Sequence, residues 1–144
     1  MFEKILVPLD GSKHSIYALE TAIQIAKKFN GKITLIHAYT THLVPMPKEY
    51  VRAESAPEVL EVSGEMGAKI LTDAKDTAEH QGVQVETMIV IGKAVDVIIQ
   101  AANEGKFDLI VIGARGLSPV KEILLGSVSH GVTTRAQCLV LVAK

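Results

Sequence analysis

Apolar residues recur along this chain in two alternating rhythms. Short apolar runs at residues 5–7, 33–39, 83–90, 109–112 and 139–142 predict five strands. Between them the apolar positions recur every three or four residues. Ile16, Leu19, Ile23 and Ala26 mark one face of a helix over 12–30, and Val59, Val62, Met66, Ile70, Ala74 and Ala78 do so over 58–81. Val95, Ile98, Ile99 and Ala102 stripe a helix over 94–104. A last helical stretch is predicted over 119–135, broken near Gly126. Ser12 suits an N-cap and Asn30-Gly31 a stop. Gly64 and Gly67 weaken the first half of the second helix. Residues 40–57 contain Pro45, Pro47 and Pro57 and show no period, which predicts a long loop of functional or mobile character.

Strands alternating with helices specify βαβ units and a parallel sheet. At 144 residues the chain is one domain. The expected architecture is a single doubly wound α/β domain, a five-stranded parallel sheet in the order 3-2-1-4-5 with helices on both faces. Ligands of such sheets bind outside the strand carboxyl ends, where the strand order reverses. In this order that point lies between strands 1 and 4. The residues following those strands are Pro8-Leu9-Asp10 and, after the buried-looking run ending at Ile112, Gly113-Ala114-Arg115-Gly116.

That second segment carries the most informative chemistry. A glycine pair at a strand's carboxyl end lets backbone approach a ligand that a Cβ would block. Gly126-Ser127 then opens a helical stretch whose free N–H groups favour an anion, most often phosphate. Val128 and Ser129 add N–H groups or a hydroxyl to the same turn. The Arg115 fork suits a phosphate, and Asp10 can accept from a ribose or an adenine amino group. The competing reading of Asp10 is an Asx turn, and that of the glycines is ordinary turns and caps.

Other features exclude more than they assign. Net charge is −1 and aromatic residues are 4%, so neither a basic nucleic-acid face nor a stacking platform is expected. No run approaches the roughly 18 apolar residues of a membrane span. The lone Cys138 suits a reducing cytoplasm and is expected to be buried and inert. The five histidines lack metal-ligand spacing. His37 reads as a packed core residue, whereas His42 and His130 are the histidines that could stand near the site. There is no P-loop, no Gly-x-Gly-x2-Gly after strand 1 and no Gly-x-Ser-x-Gly elbow. No general base with a positioned partner is apparent, so no catalytic residue is assigned.

The chain resembles the universal stress protein family over its whole length. Residues 5–12, Ile-Leu-Val-Pro-Leu-Asp-Gly-Ser, look like that family's first strand and turn, and residues 33–39 look like its second strand. Gly113-x2-Gly116-x9-Gly126-Ser127 matches the Gly-x2-Gly-x9-Gly-(Ser/Thr) signature of the ATP-binding branch without a gap. Leu139 stands where family members usually carry proline.

The resemblance implies ATP at the switch point, with Asp10 at the nucleoside and the Ala38 backbone at the adenine edge. It implies a homodimer through strand 5 and a regulatory role in stress survival. Magnesium or manganese would be held mainly through the phosphates, since the site has no carboxylate cluster of its own. Residues 40–57 would then form a lid beside the adenine end. Three functions compete: a nucleotide-dependent dimeric switch read by a regulatory partner, a slow ATPase, and a nucleotide-free dimeric interaction module. The intact glycine signature favours the first.

Overall fold

Strands and helices alternate along the chain as β1 (Lys4–Pro8), α1 (Lys13–Phe29), β2 (Lys32–Tyr39), α2 (Ser55–His80), β3 (Val85–Ile91), α3 (Ala94–Glu104), β4 (Leu109–Gly113), α4 (Ser127–Arg135) and β5 (Leu139–Ala143). The computed structural model describes residues 1–40, 55–117 and 125–144, with backbone alone over 55–63. The strands form one parallel sheet in the order β3-β2-β1-β4-β5, as expected.

The two faces of the sheet carry separate cores. Ile5, Val7, Ile33, Leu35, Leu109 and Val111 pack with Ala18, Ala22 and Ile23 of α1 and Leu71 and Ala78 of α2. Leu6, Ile36, Ile110 and Ile112 face Ile98 and Ala102 of α3 and Val132 of α4. Burial on both faces is why the central strands read as unbroken apolar runs. Ser12 caps α1 by accepting from Ser15 N at 3.2 Å. Asn30 closes that helix in the left-handed conformation at φ 57°.

One element boundary differs from the periodic pattern. Helix α2 starts at Ser55 and runs through Gly64 and Gly67. Proline is tolerated in a first turn, where its missing N–H has no acceptor to lose, so Pro57 does not delay the start. Helix α4 starts at Ser127, where the sequence expected Gly126-Ser127 to open a helix, and Gly126 before it is extended at φ −68° and ψ 167°. Residues 118–124 and the 41–54 part of the expected lid lie outside the described residues, as does His42.

The inner strands part at their carboxyl ends. β1 pairs with β2 along its whole length, ending at Pro8↔Ile36. Its pairing with β4 covers only Ile5↔Leu109 and Leu6↔Ile110. Beyond that point Val7 and Pro8 have no β4 partner, and the sheet opens into a crevice. Among the described residues no helix is long and apolar enough to cross a membrane.

Candidate functional site

A cleft of 260 Å³ occupies this crevice. Its volume lies just under the roughly 300–1,000 Å³ of small-molecule sites. Pro8, Leu9 and Asp10 line it from the end of β1, and Ala38 from the end of β2. Ile112, Gly113, Arg115 and Gly116 line it from β4, and Gly126, Ser127, Val128 and Ser129 from the start of α4. All twelve residues singled out from sequence therefore meet around one cavity.

The cavity has two unlike ends. Toward β2 and α3 its walls are Ile36, Ala38, Ala94 and Ile98. They are apolar and suit a flat ring. Toward α4 they are glycines, backbone and hydroxyls. The first-turn N–H groups of α4 have no acceptor within the helix. Among the described residues nothing else accepts from those of Ser127, Val128 and Ser129. The positive end of the helix dipole adds to them.

Asp10 supports two readings at once. Its Oδ1 accepts from Ser12 N at 2.9 Å, which is the Asx turn expected on purely structural grounds. Its Oδ2 points across the cleft mouth toward Gly116, where an added Cβ would stand 2.7 Å away. One oxygen holds the turn and the other faces the cavity.

The glycines of the signature have different causes. A Cβ at Gly113 would lie 2.6 Å from the carbonyl carbon of His14 and 2.8 Å from Ser15 N. Gly113 is thus required by the first turn of α1 packing on β4, whatever it also presents to the cleft that it lines. Gly126 is the opposite case. Its φ is negative, and the nearest described atoms to an added Cβ are at an ordinary 3.5 Å. No backbone strain and no protein neighbour among the described residues demands glycine there.

Two serines are also partly committed. The Ser129 hydroxyl is buried within reach of Ala114 O at 2.8 Å and Gly126 O at 3.0 Å, so it pins α4 to the end of β4 and leaves the N–H for a ligand. Ser127 is exposed, and its hydroxyl has no partner among the described residues. Arg115 is half-buried, with its carbonyl accepting weakly from Ser12 Oγ at 3.4 Å.

The sequence profile of the universal stress protein family matches residues 1–144. The chain belongs to the universal stress protein family. It is 35% identical to a universal stress protein of Bacillus subtilis, with 100% of both chains covered. The universal stress protein UspA of Lactobacillus plantarum superimposes with a TM-score of 0.87 at 23% identity, covering 99% of this chain and 98% of that one. A universal stress protein solved in complex with cAMP is 34% identical with a TM-score of 0.73, covering 99% and 97%.

Five wall residues of this family member escaped the sequence reading: Ser15, Ile36, Ala94, Ile98 and Leu117. Ile36 could have been found from Ala38, since strand residues two apart share a face. Ser15 lies one turn beyond Ser12. Ile98 was recognised only as part of the α3 core stripe, and it serves both purposes. His130 is exposed and outside the described lining. His37 and Cys138 are half-buried rather than fully enclosed. Burial still pushes the Cys138 thiol up, so it remains protonated and unreactive at neutral pH. Among the described residues no three His, Cys, Asp or Glu side chains cluster as a metal site requires.

The two glycines should separate in a stability measurement. Gly113→Ala is expected to lower the urea midpoint clearly, by about 1–3 kcal/mol of overpacking. Gly126→Ala should leave the midpoint within about 0.5 kcal/mol, as substitutions away from special features do. Equal midpoints for the two variants would remove the distinction.

Proposed function

We propose that the protein binds ATP in this cleft and acts as a nucleotide-dependent, dimeric switch in stress regulation. The adenine lies against Ala38, Ala94 and Ile98, the ribose near Asp10, and the phosphates at Gly116 and the α4 N-terminus. The observation carrying this reading is the start of α4. Three unpaired N–H groups open into a cleft beside a glycine that the described fold does not itself require. Such a cradle fits an anion, and phosphate most often. The cAMP complex of a 34% identical relative supports a nucleotide as the ligand. Asp10 is the only carboxylate in the described lining, so a magnesium or manganese ion is held mainly by the phosphates. The lone cysteine suits work in a reducing cytoplasm.

Isothermal titration with magnesium and ATP tests the site. Gly126→Asp should abolish binding, because it directs a carboxylate at the phosphates while its Cβ fits the protein. Unchanged affinity in a variant with native circular dichroism would remove the assignment.

The switch needs a surface that partners can read, and β5 is the candidate. It is an edge strand carrying Leu139 and Leu141 at 57% and 38% exposure. Apolar edges of this kind invite pairing. A second copy of the chain seated on β5 gives the homodimer. The double variant Leu139→Lys, Leu141→Lys should sediment as monomer at concentrations where the parent is a dimer. A variant that still dimerises would move the interface elsewhere.

Turnover is not what the described walls favour. Backbone N–H groups, Ser127 and Arg115 grip ground-state and transition-state phosphates alike, and uniform binding does not raise turnover. Asp10 already holds the Ser12 N–H with Oδ1, and no second group in the described lining is positioned to make it a general base. Purified protein should hydrolyse ATP well below the roughly 1–100 per second of kinases. Several turnovers per second, abolished by Ser127→Ala, would make the chain an enzyme.

A further inference from the structure

The turn that presents Asp10 to the cleft is held from behind by a histidine on the neighbouring strand. Leu9 is the last residue before Asp10, and β2 grips it twice. Leu9 N donates to Ile36 O at 2.9 Å, prolonging the β1–β2 ladder one step past the strand. On the other side, His37 Nδ1 lies 2.7 Å from Leu9 O. A carbonyl only accepts, so the proton is on Nδ1 and the neutral ring is in the Nδ1–H tautomer.

Helix α2 is shaped around this ring. An added Cβ at Gly67 would stand 2.4 Å from His37 Cδ2 and 2.9 Å from Nε2. Glycine inside a helix costs about 0.5–1 kcal/mol relative to alanine. Here that cost makes room for the imidazole. One turn on, Ile70 Cδ1 lies 3.2 Å from where a Cβ on Gly11 would be, and Gly11 holds the left-handed φ of +83° that turns the chain after Asp10. Tyr39 lies nearly parallel to the histidine, with ring centroids 6.4 Å apart and planes 15° from parallel.

We propose that His37 is the positioning residue of the site. Its Nδ1–H, on a ring whose Cδ2–Nε2 edge is seated against Gly67, fixes the Leu9 carbonyl and so aims the Asp10 carboxylate into the cleft. The proposal rests on the ATP reading above for its effect on affinity, but the anchoring itself needs no nucleotide.

Three variants separate the hydrogen bond from mere packing. His37→Leu removes the donor. Gly67→Ala leaves the histidine but displaces its ring. His37→Asn places an amide N–H at the same distance along the side chain as Nδ1. His37→Leu and Gly67→Ala should each weaken magnesium-ATP binding by about tenfold, the scale of one hydrogen bond, and His37→Asn by no more than about twofold. In ligand-free protein, the amide resonances of Leu9, Asp10, Gly11 and Ser12 should shift in the first two variants and stay near the parent in the third. The parent should also show a protonated Nδ1 in the imidazole nitrogen spectrum.

Parent-like affinity in His37→Leu overturns the proposal, as does an Asn variant as weak as the Leu variant. Should the parent itself bind no ATP, the functional reading fails alone. The ligand-free spectra then decide for His37: turn resonances unmoved by His37→Leu overturn it, and shifts restored by His37→Asn uphold it.

Discussion

The parting of β1 and β4 after two paired residues governs everything else at the site. In a doubly wound sheet, the crossovers leaving these two strands go to opposite faces, so no helix covers the gap between their carboxyl ends. Two helix starts then border that gap. α1 packs its first turn on Gly113, and α4 begins at Ser127 with its N–H groups bare. Pro8, which has no N–H to offer a ladder, stands at the end of β1 where the pairing with β4 has already stopped.

The chain spends its glycines around this crevice for separate reasons. Gly11 supplies a left-handed turn, Gly67 room for an imidazole and Gly113 the close approach of α1. Of the signature glycines, only Gly126 has neither a strained φ nor a crowded neighbour among the described residues. A motif written as four characters thus mixes structural necessity with chemistry. The two are told apart by asking what a Cβ would meet, since a position that the fold leaves open is the one a ligand can claim.

The same division runs through the polar side chains. Asp10, Ser12 and Ser129 all make hydrogen bonds that any loop–helix junction could use. These bonds hold the cleft walls while leaving Asp10 Oδ2 and the α4 N–H groups directed inward. Buried polar groups that are satisfied in this way stiffen a site without filling it.

By itself, the sequence determined the order of elements, the parallel doubly wound class and the two strand ends that meet at the site. Those depend on period, on Gly, Asn and Ser punctuation, and on the rule that ligands sit at the reversal of strand order, all of which are written locally. It placed the start of α2 a few residues late, because Pro57 reads as loop although the first turn of a helix accepts proline. It did not register the packing need for glycine at 113, and it took His37 for plain core. Only the tertiary structure showed that Gly113 meets His14 and that His37 reaches Leu9, 28 residues away in sequence, as it showed Ser12 reaching Arg115 across 103. Periodicity reports which face of an element is apolar. Which residue of another element stands opposite that face is decided by packing, and it becomes visible only when the sheet is assembled.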